Sequence, residues 1–143
     1  MATSIGRPAA DLQIAIATWL LHSSVRIPSG VHAGATAGWL NEHGQPVFAY
    51  PEITGYYLSW LAFVGALDPR LDVRPAALAA VEWLNRVSVN GAPATRYYFD
   101  DRDDWRNDAT FTFDLAMMCN GLHNAGQLVP GQSRTSVLTR LLR

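Results

Sequence analysis

Lysine is missing from this chain: all 11 of its cationic side chains other than histidine are arginines. That excludes a lysine Schiff base as the chemistry. Cysteine occurs once, as Cys119, so no intramolecular disulfide can form. Charged residues are only 16% of the chain, and much of the surface must therefore be neutral. A neutral surface on a small domain suggests cover by another chain. The net charge of −1 provides no basic field for nucleic acid or an anionic membrane. No stretch approaches the roughly 20 apolar residues of a membrane span. The segment Met1 to Pro8 has no apolar run and no secretion signal, which makes a cytoplasmic protein the expectation. His22, His32, His43 and His123 lack metal-ligand spacing. Phosphate loops, nucleophile elbows and dinucleotide fingerprints are also missing, so no cofactor is expected.

What is present fits a single domain over residues 1–143, all-α in class. The most informative stretch is Phe48 to Leu61. Pro51 suits the first turn of a helix, where its missing N–H costs nothing. Glu52 complements the positive end of the helix dipole. Glu52, Tyr56, Ser59, Trp60 and Phe63 then follow at helical spacing on one face. This second helix should stop before Asp68-Pro69. A first helix is expected from about Ala9 to Ser23, with Leu12, Ile16, Trp19 and Leu20 as its stripe, widened by Ile14 and Leu21. Arg26 to Val47 reads as a long loop tipped by Asn41-Glu42-His43-Gly44 and anchored by Trp39 and Leu40. A third helix should run from about Pro75 to Val89. Ala92 to Asn107 is a second long connection whose Tyr97-Tyr98-Phe99 run suits a short strand. Asp108 suits the N-cap of a fourth helix reaching about Asn124. Gly131 to Arg143 completes a set of five.

The chain also repeats itself. Arg7-Pro8-Ala9-Ala10 corresponds to Arg74-Pro75-Ala76-Ala77, and Ala17-Thr18-Trp19-Leu20 to Val81-Glu82-Trp83-Leu84. Each unit continues through an aromatic loop into a helix with an early acid, Glu52 or Asp114. A recurring helix–loop–helix unit predicts a stacked or circular array of helical hairpins. Outer helices would carry the Trp-Leu pairs. Inner helices would begin where the long loops gather, and that end would hold the site.

These residues have a likeness. Ala37-Gly38-Trp39 followed by Phe48-Ala49-Tyr50-Pro51-Glu52-Ile53-Thr54-Gly55-Tyr56 resembles a motif of bacterial α/α-toroid proteins encoded among polysaccharide-biosynthesis genes. Phe113 to Met118, ending in Gly121-Leu122, resembles a second motif of that group. The resemblance implies an incomplete α/α-toroid of two helical hairpins plus a fifth helix, with long loops on one rim. It also implies that Glu52, Thr54, Tyr56 and Asp114 face a funnel. A full ring needs more hairpins, so a homo-oligomer or hetero-complex is expected.

Three constellations carry possible chemistry. Glu52 with Tyr56 and Trp60 could bind a hydroxyl, move a proton and stack on a sugar face; the alternative is a helix-end acid beside core aromatics. Asp114, amid apolar neighbours, needs a partner if buried. It either lines a pocket or pairs with an arginine such as Arg96. Asp100, Asp101, Asp103 and Asp104 could hold Mg²⁺ or Ca²⁺, with Asp100, Asp101 and Asp104 the candidate ligands. Their spacing also meets short terpenoid-enzyme patterns. A solvated loop paired with Arg96, Arg102 and Arg106 is the preferred reading of that run. Cys119 reads as a core thiol.

The leading expectation is a carbohydrate-related biosynthetic enzyme or enzyme subunit. Its chemistry would be proton transfer of the epimerase, lyase or glycosidase type on a sugar-like or aminocyclitol-like molecule. Glu52, Asp114 and Tyr56 are the catalytic candidates. Trp39, Trp60, Tyr98, His43 and Arg96 are the substrate-binding ones. A non-catalytic partner that completes or scaffolds another protein is the alternative, and a terpenoid cyclase-like fragment the third.

Overall fold

The computed structural model describes residues 6–100 and 102–142, with side chains described for residues 12–100, 102–131 and 134–142. It is mostly helical, with one small sheet. Five helices, α1 (Gly6–His22), α2 (Pro51–Leu67), α3 (Arg74–Val87), α4 (Thr112–Asn124) and α5 (Gln132–Leu141), are joined by two long connections. The first connection is not all loop, as the sequence suggested. It folds into a hairpin of β1 (Ala37–Leu40) and β2 (Pro46–Ala49). The second contributes β3 (Tyr97–Tyr98), which pairs antiparallel with β2 through Phe48↔Tyr98 and Ala49↔Tyr97. The Tyr97–Tyr98 strand was expected; the hairpin was not.

Helices α2 and α4 form the centre. They run side by side in the same direction. Gly55 lies against Met117 and Gly121, and one turn further on Ser59 faces Asn120 and Asn124. Two glycines at the crossing let the backbones meet without a Cβ between them. Leu58, Leu61, Met118 and Leu122 are fully buried around that contact. Burying each such side chain stabilises the fold by about 2 kcal/mol.

Outside this pair lies α3, whose Ala77, Ala80, Val81, Trp83 and Leu84 are fully buried. Arg74-Pro75 starts it as read from the sequence, with proline in the first turn. Helix α5 packs beside α3, and Arg140 donates to the Asn85 carbonyl at 3.4 Å. The first connection also crosses α3. Gly34, at φ +95°, presses against the Ala79 backbone where any side chain would collide. Trp83 Nε1–H donates to His32 Nδ1 at 3.3 Å. Burial, assisted by the Arg86 charge, lowers the His32 pKa below its usual 6.5.

Two expectations need correction. The apolar stripe of α1 is largely uncovered, with Leu12, Ile14, Ile16 and Trp19 exposed; of its members Leu21 is buried and Leu20 packs partly on the core, and Ala17 joins them. Trp19 and Trp83 occupy equivalent repeat positions, yet Trp19 is 53% exposed and Trp83 fully buried. The reason is cover: α3 packs against α2, α5 and the first connection, whereas α1 meets the rest of the fold at few points, one of them the Tyr57 hydroxyl. Helix α4 begins at Thr112 rather than after Asp108. Phe111 is its N-cap, without a side-chain cap bond, and Asp108 closes the short 3₁₀ turn Trp105–Asn107.

The α1–α2 joint has a pH dependence. Tyr57 Oη–H donates to the Leu20 carbonyl at 3.0 Å, pinning the end of α1. Burial pushes the Tyr57 pKa up to about 12, with the Arg26 charge opposing. A raised pKa means the folded state favours the neutral phenol. That contribution is complete below the ordinary value of 10 and is lost as pH rises from 10 towards 12. Its full size is about 2–3 kcal/mol. Thermal melts should therefore superimpose just below pH 10 and shift downward above it, with Tyr57→Phe weakening the dependence. A wild-type melting temperature flat through that window would contradict this.

Candidate functional site

Both early acids lie where the two central helices begin. Glu52 is the second residue of α2, and Asp114 the third of α4. Asp114 is thus in a first turn, not six residues into a helix as the sequence suggested. Because α2 and α4 are parallel, their N-terminal ends share one rim. The sheet brings both long connections to that rim, as β2 leads into α2 and β3 precedes α4.

The local sequence explains why the rim is fixed. Pro51 holds the residue before it extended, and Tyr50 sits there at φ −128°, ψ 112° as N-cap of α2. The Tyr50 N–H donates to the Thr36 carbonyl at 3.0 Å. Thr54, fully buried, ties the same corner. Its hydroxyl donates to the Tyr50 carbonyl and accepts from the Thr36 N–H, both at 2.9 Å. A buried hydroxyl that ties two points of the first connection to the start of α2 is structural.

The Tyr50 phenol stands at the same rim, near enough for Glu52, Thr95 and Asp114 to bear on its titration. Burial is the largest effect on Tyr50, followed by the neighbouring Glu52 and the charge of Asp114. Together they outweigh Thr95 and push the pKa up to about 12. The phenol is therefore neutral at physiological pH, a proton donor beside two carboxyl groups. Asp114 is 5% exposed and accepts from the Thr95 hydroxyl in a short contact. Its partner is Thr95, the residue before Arg96, rather than an arginine.

Arg96 is used differently. Its guanidinium carbon lies 4.6 Å from the Phe48 ring centroid and 5.7 Å from that of Tyr50. Nη1 donates to the Tyr98 hydroxyl at 3.1 Å. Tyr98 in turn packs on Phe48 at 5.0 Å between centroids. The structure thus gathers Glu52, Asp114, Arg96 and Tyr98, four of the expected site residues. It adds Tyr50 and Thr95, which sequence reasoning missed. Tyr50 carried a signal, since a tyrosine locked extended before a proline and two residues from an acid must sit at the helix mouth. Thr95 carried none.

Other candidates lie apart. Trp60 stacks on Tyr57, with centroids 5.7 Å apart, and lines a mostly apolar cleft of about 580 Å³ between α1 and the second half of α2. Ile14, Ile16, Phe63 and Leu67 line the same cleft, which does not reach the acids. Trp60 is eight residues beyond Glu52, about 12 Å along the helix. Tyr56 is 44% exposed. Trp39 is 65% exposed on β1, so it does not anchor the connection. His43 is exposed in the turn between β1 and β2, near Glu42 at 3.6 Å.

In the acidic run, Asp100 pairs with Arg102 at 2.9 Å and Asp104 with Arg106 at 2.6 Å. The Arg106 guanidinium holds the Asp104 carboxyl well below the usual range. Asp101 lies outside the described residues. Among the described residues, no three His, Cys, Asp or Glu side chains are grouped to hold a metal ion. Nor is any helix among them long and apolar enough to cross a membrane. Burial raises the Cys119 thiol pKa, as suits a packing residue. Compared with known proteins, the chain matches no family model, no curated protein and no solved structure.

Proposed function

We propose that the rim where α2 and α4 begin binds a sugar-like, polyhydroxylated molecule and transfers a proton on it. The observation that carries this reading is that the parallel α2 and α4 bring two early acids to one rim, with Asp114 buried on the Thr95 hydroxyl and Tyr50 as N-cap of α2. Two carboxyl groups and a phenol at one rim supply both a proton acceptor and a proton donor. Arg96, stacked on Phe48, offers hydrogen-bond donors. Epimerisation, elimination and glycoside cleavage all use such a pair. The parallel α2 and α4, flanked by α3 and α5, support the hairpin-toroid reading and the likeness to polysaccharide-biosynthesis proteins. Within the cell, the cytoplasm is the proposed location.

The direct test is ligand-observed NMR on the purified chain with a panel of monosaccharides, including glucose, followed by mapping of shifted resonances. The expected result is perturbation of Tyr50, Thr95 and their backbone neighbours. Perturbation confined to α1 and the second half of α2 would refute the reading.

A second reading has its own observation. Leu12, Ile16 and Trp19 of α1, with Phe63 (61% exposed) and Leu67 of α2, make an open apolar face. Such a face marks a surface built to be covered. We propose that it contacts a second copy of this chain; a scaffold that completes another protein is the alternative. Sedimentation equilibrium should give a multiple of the single-chain mass, falling to one chain in Phe63→Asp. A monomeric wild type would remove the self-association.

A further inference from the structure

Arg96 differs from the two arginines beside it. Arg102 pairs with Asp100 and Arg106 with Asp104, but among the described residues no carboxylate forms an ion pair with Arg96. Its planar face is taken by the Phe48 and Tyr50 rings. One nitrogen, Nη1, is used on Tyr98. Nε is buried and has no hydrogen-bond partner. A guanidinium fixed by stacking, with no carboxylate partner among the described residues and one nitrogen given to a phenol, keeps donors for a carboxylate or phosphate. A buried N–H without a partner costs stability until something accepts from it. The cation lies against the ring of Tyr50, the N-cap of the helix that carries Glu52, and follows Thr95, whose hydroxyl is held by Asp114, so one small molecule can touch both.

We propose that Arg96 is the anion-binding residue of this site, and that the ligand carries an oxyanion, carboxylate or phosphate, beside its hydroxyl groups. The inference rests on the sugar-binding reading above and narrows it from polyols in general to acidic ones. Glu52 and Asp114 would then meet the neutral, hydroxyl-bearing side of the ligand, and Arg96 its charged end. Like charges are kept apart by that orientation, which gives the site a defined direction of entry.

The probes are glucose, glucuronate, glucose 6-phosphate and inorganic phosphate, titrated by NMR and calorimetry into the full chain. One of the two anionic sugars should bind at least tenfold more tightly than glucose, and whichever wins identifies the oxyanion. Arg96→Gln should bring that ratio to about one. Arg96→Lys, which keeps the charge but loses the fork, should recover only part of it. Inorganic phosphate should shift the Arg96 side-chain resonances. Equal binding of all three sugars by the wild-type chain, a test that needs no variant to fold, would overturn the anion site and leave the sugar reading standing. A phosphate response at Arg96 with no sugar binding would overturn the sugar reading and leave the anion site. Silence from phosphate and both anionic sugars would overturn the anion site.

Discussion

Gly121→Ala should lower the melting temperature by roughly ten degrees, as read by circular dichroism. A Cβ at position 121 would meet the Gly55 carbonyl oxygen and carbon, and one at Gly55 would meet the Met117 carbonyl and the Met118 nitrogen. These obstacles are backbone atoms inside helices. They cannot turn aside as a side-chain tip can. The helices must separate, and the loss spreads to Leu58, Leu61, Met118 and Leu122. Overpacking a core costs about 1–3 kcal/mol, and a backbone collision belongs at the upper end. For a chain near this length, about 3 kcal/mol corresponds to that shift in melting temperature. Alanine is the better helix former by about 1 kcal/mol. A rise in stability would therefore mean that the helices do not touch here. Gly91→Ala is a useful contrast: nothing lies within 4 Å of its added Cβ, and the cost is confined to the strained φ of +126°.

Glu52→Gln should weaken sugar binding by roughly tenfold to a hundredfold, the loss of a charged hydrogen bond of about 1.5–3 kcal/mol. Any turnover should fall with it. The amide keeps the shape, but it cannot take up a proton. Glu52 is half-buried, and no ion pair holds it among the described residues, so the fold should lose little. The small loss expected is the helix-dipole contribution of an acid in the first turn, about 0.3–1 kcal/mol. Calorimetric titration beside a thermal melt separates the two effects. Unchanged ligand affinity with a lowered melting temperature would make Glu52 a helix-end residue and nothing more.

Much of this architecture is legible in the residue order, for physical reasons. Pro51 and Pro75 mark helix starts because proline fits only the first turn. Asp68-Pro69 marks a stop. Tyr97-Tyr98 suits a strand, and forms one. The hairpin of β1 and β2 was hidden because its strands are four residues each, and their register slips between Ala37 and Leu40. Strands so short show little alternation. The α1 stripe failed for another reason. Periodicity says which residues share a face, not whether anything covers it, and Leu12, Ile16 and Trp19 share a face that stays open. In the candidate site, Glu52 was legible as a helix-start residue. Tyr50 was not legible as a site residue, because a phenol reveals its proton chemistry only when its neighbours in space are known. Asp114 was read as a deep helical residue because Asp108 looked like the cap, when the 3₁₀ turn had claimed it.

The strand pairing of Phe48 with Tyr98 has a consequence for affinity. It ties the segment leading into α2 to the one preceding α4, at the same level where the glycine crossing ties the helices themselves. Tyr50 and Thr95 stand just past these fastenings, so their spacing is set when the chain folds. An incoming molecule does not have to gather them, and the entropy of bringing distant side chains together is absent from its binding free energy. Weak-looking individual contacts can then add up to selective capture, because the constellation is preorganised before anything arrives.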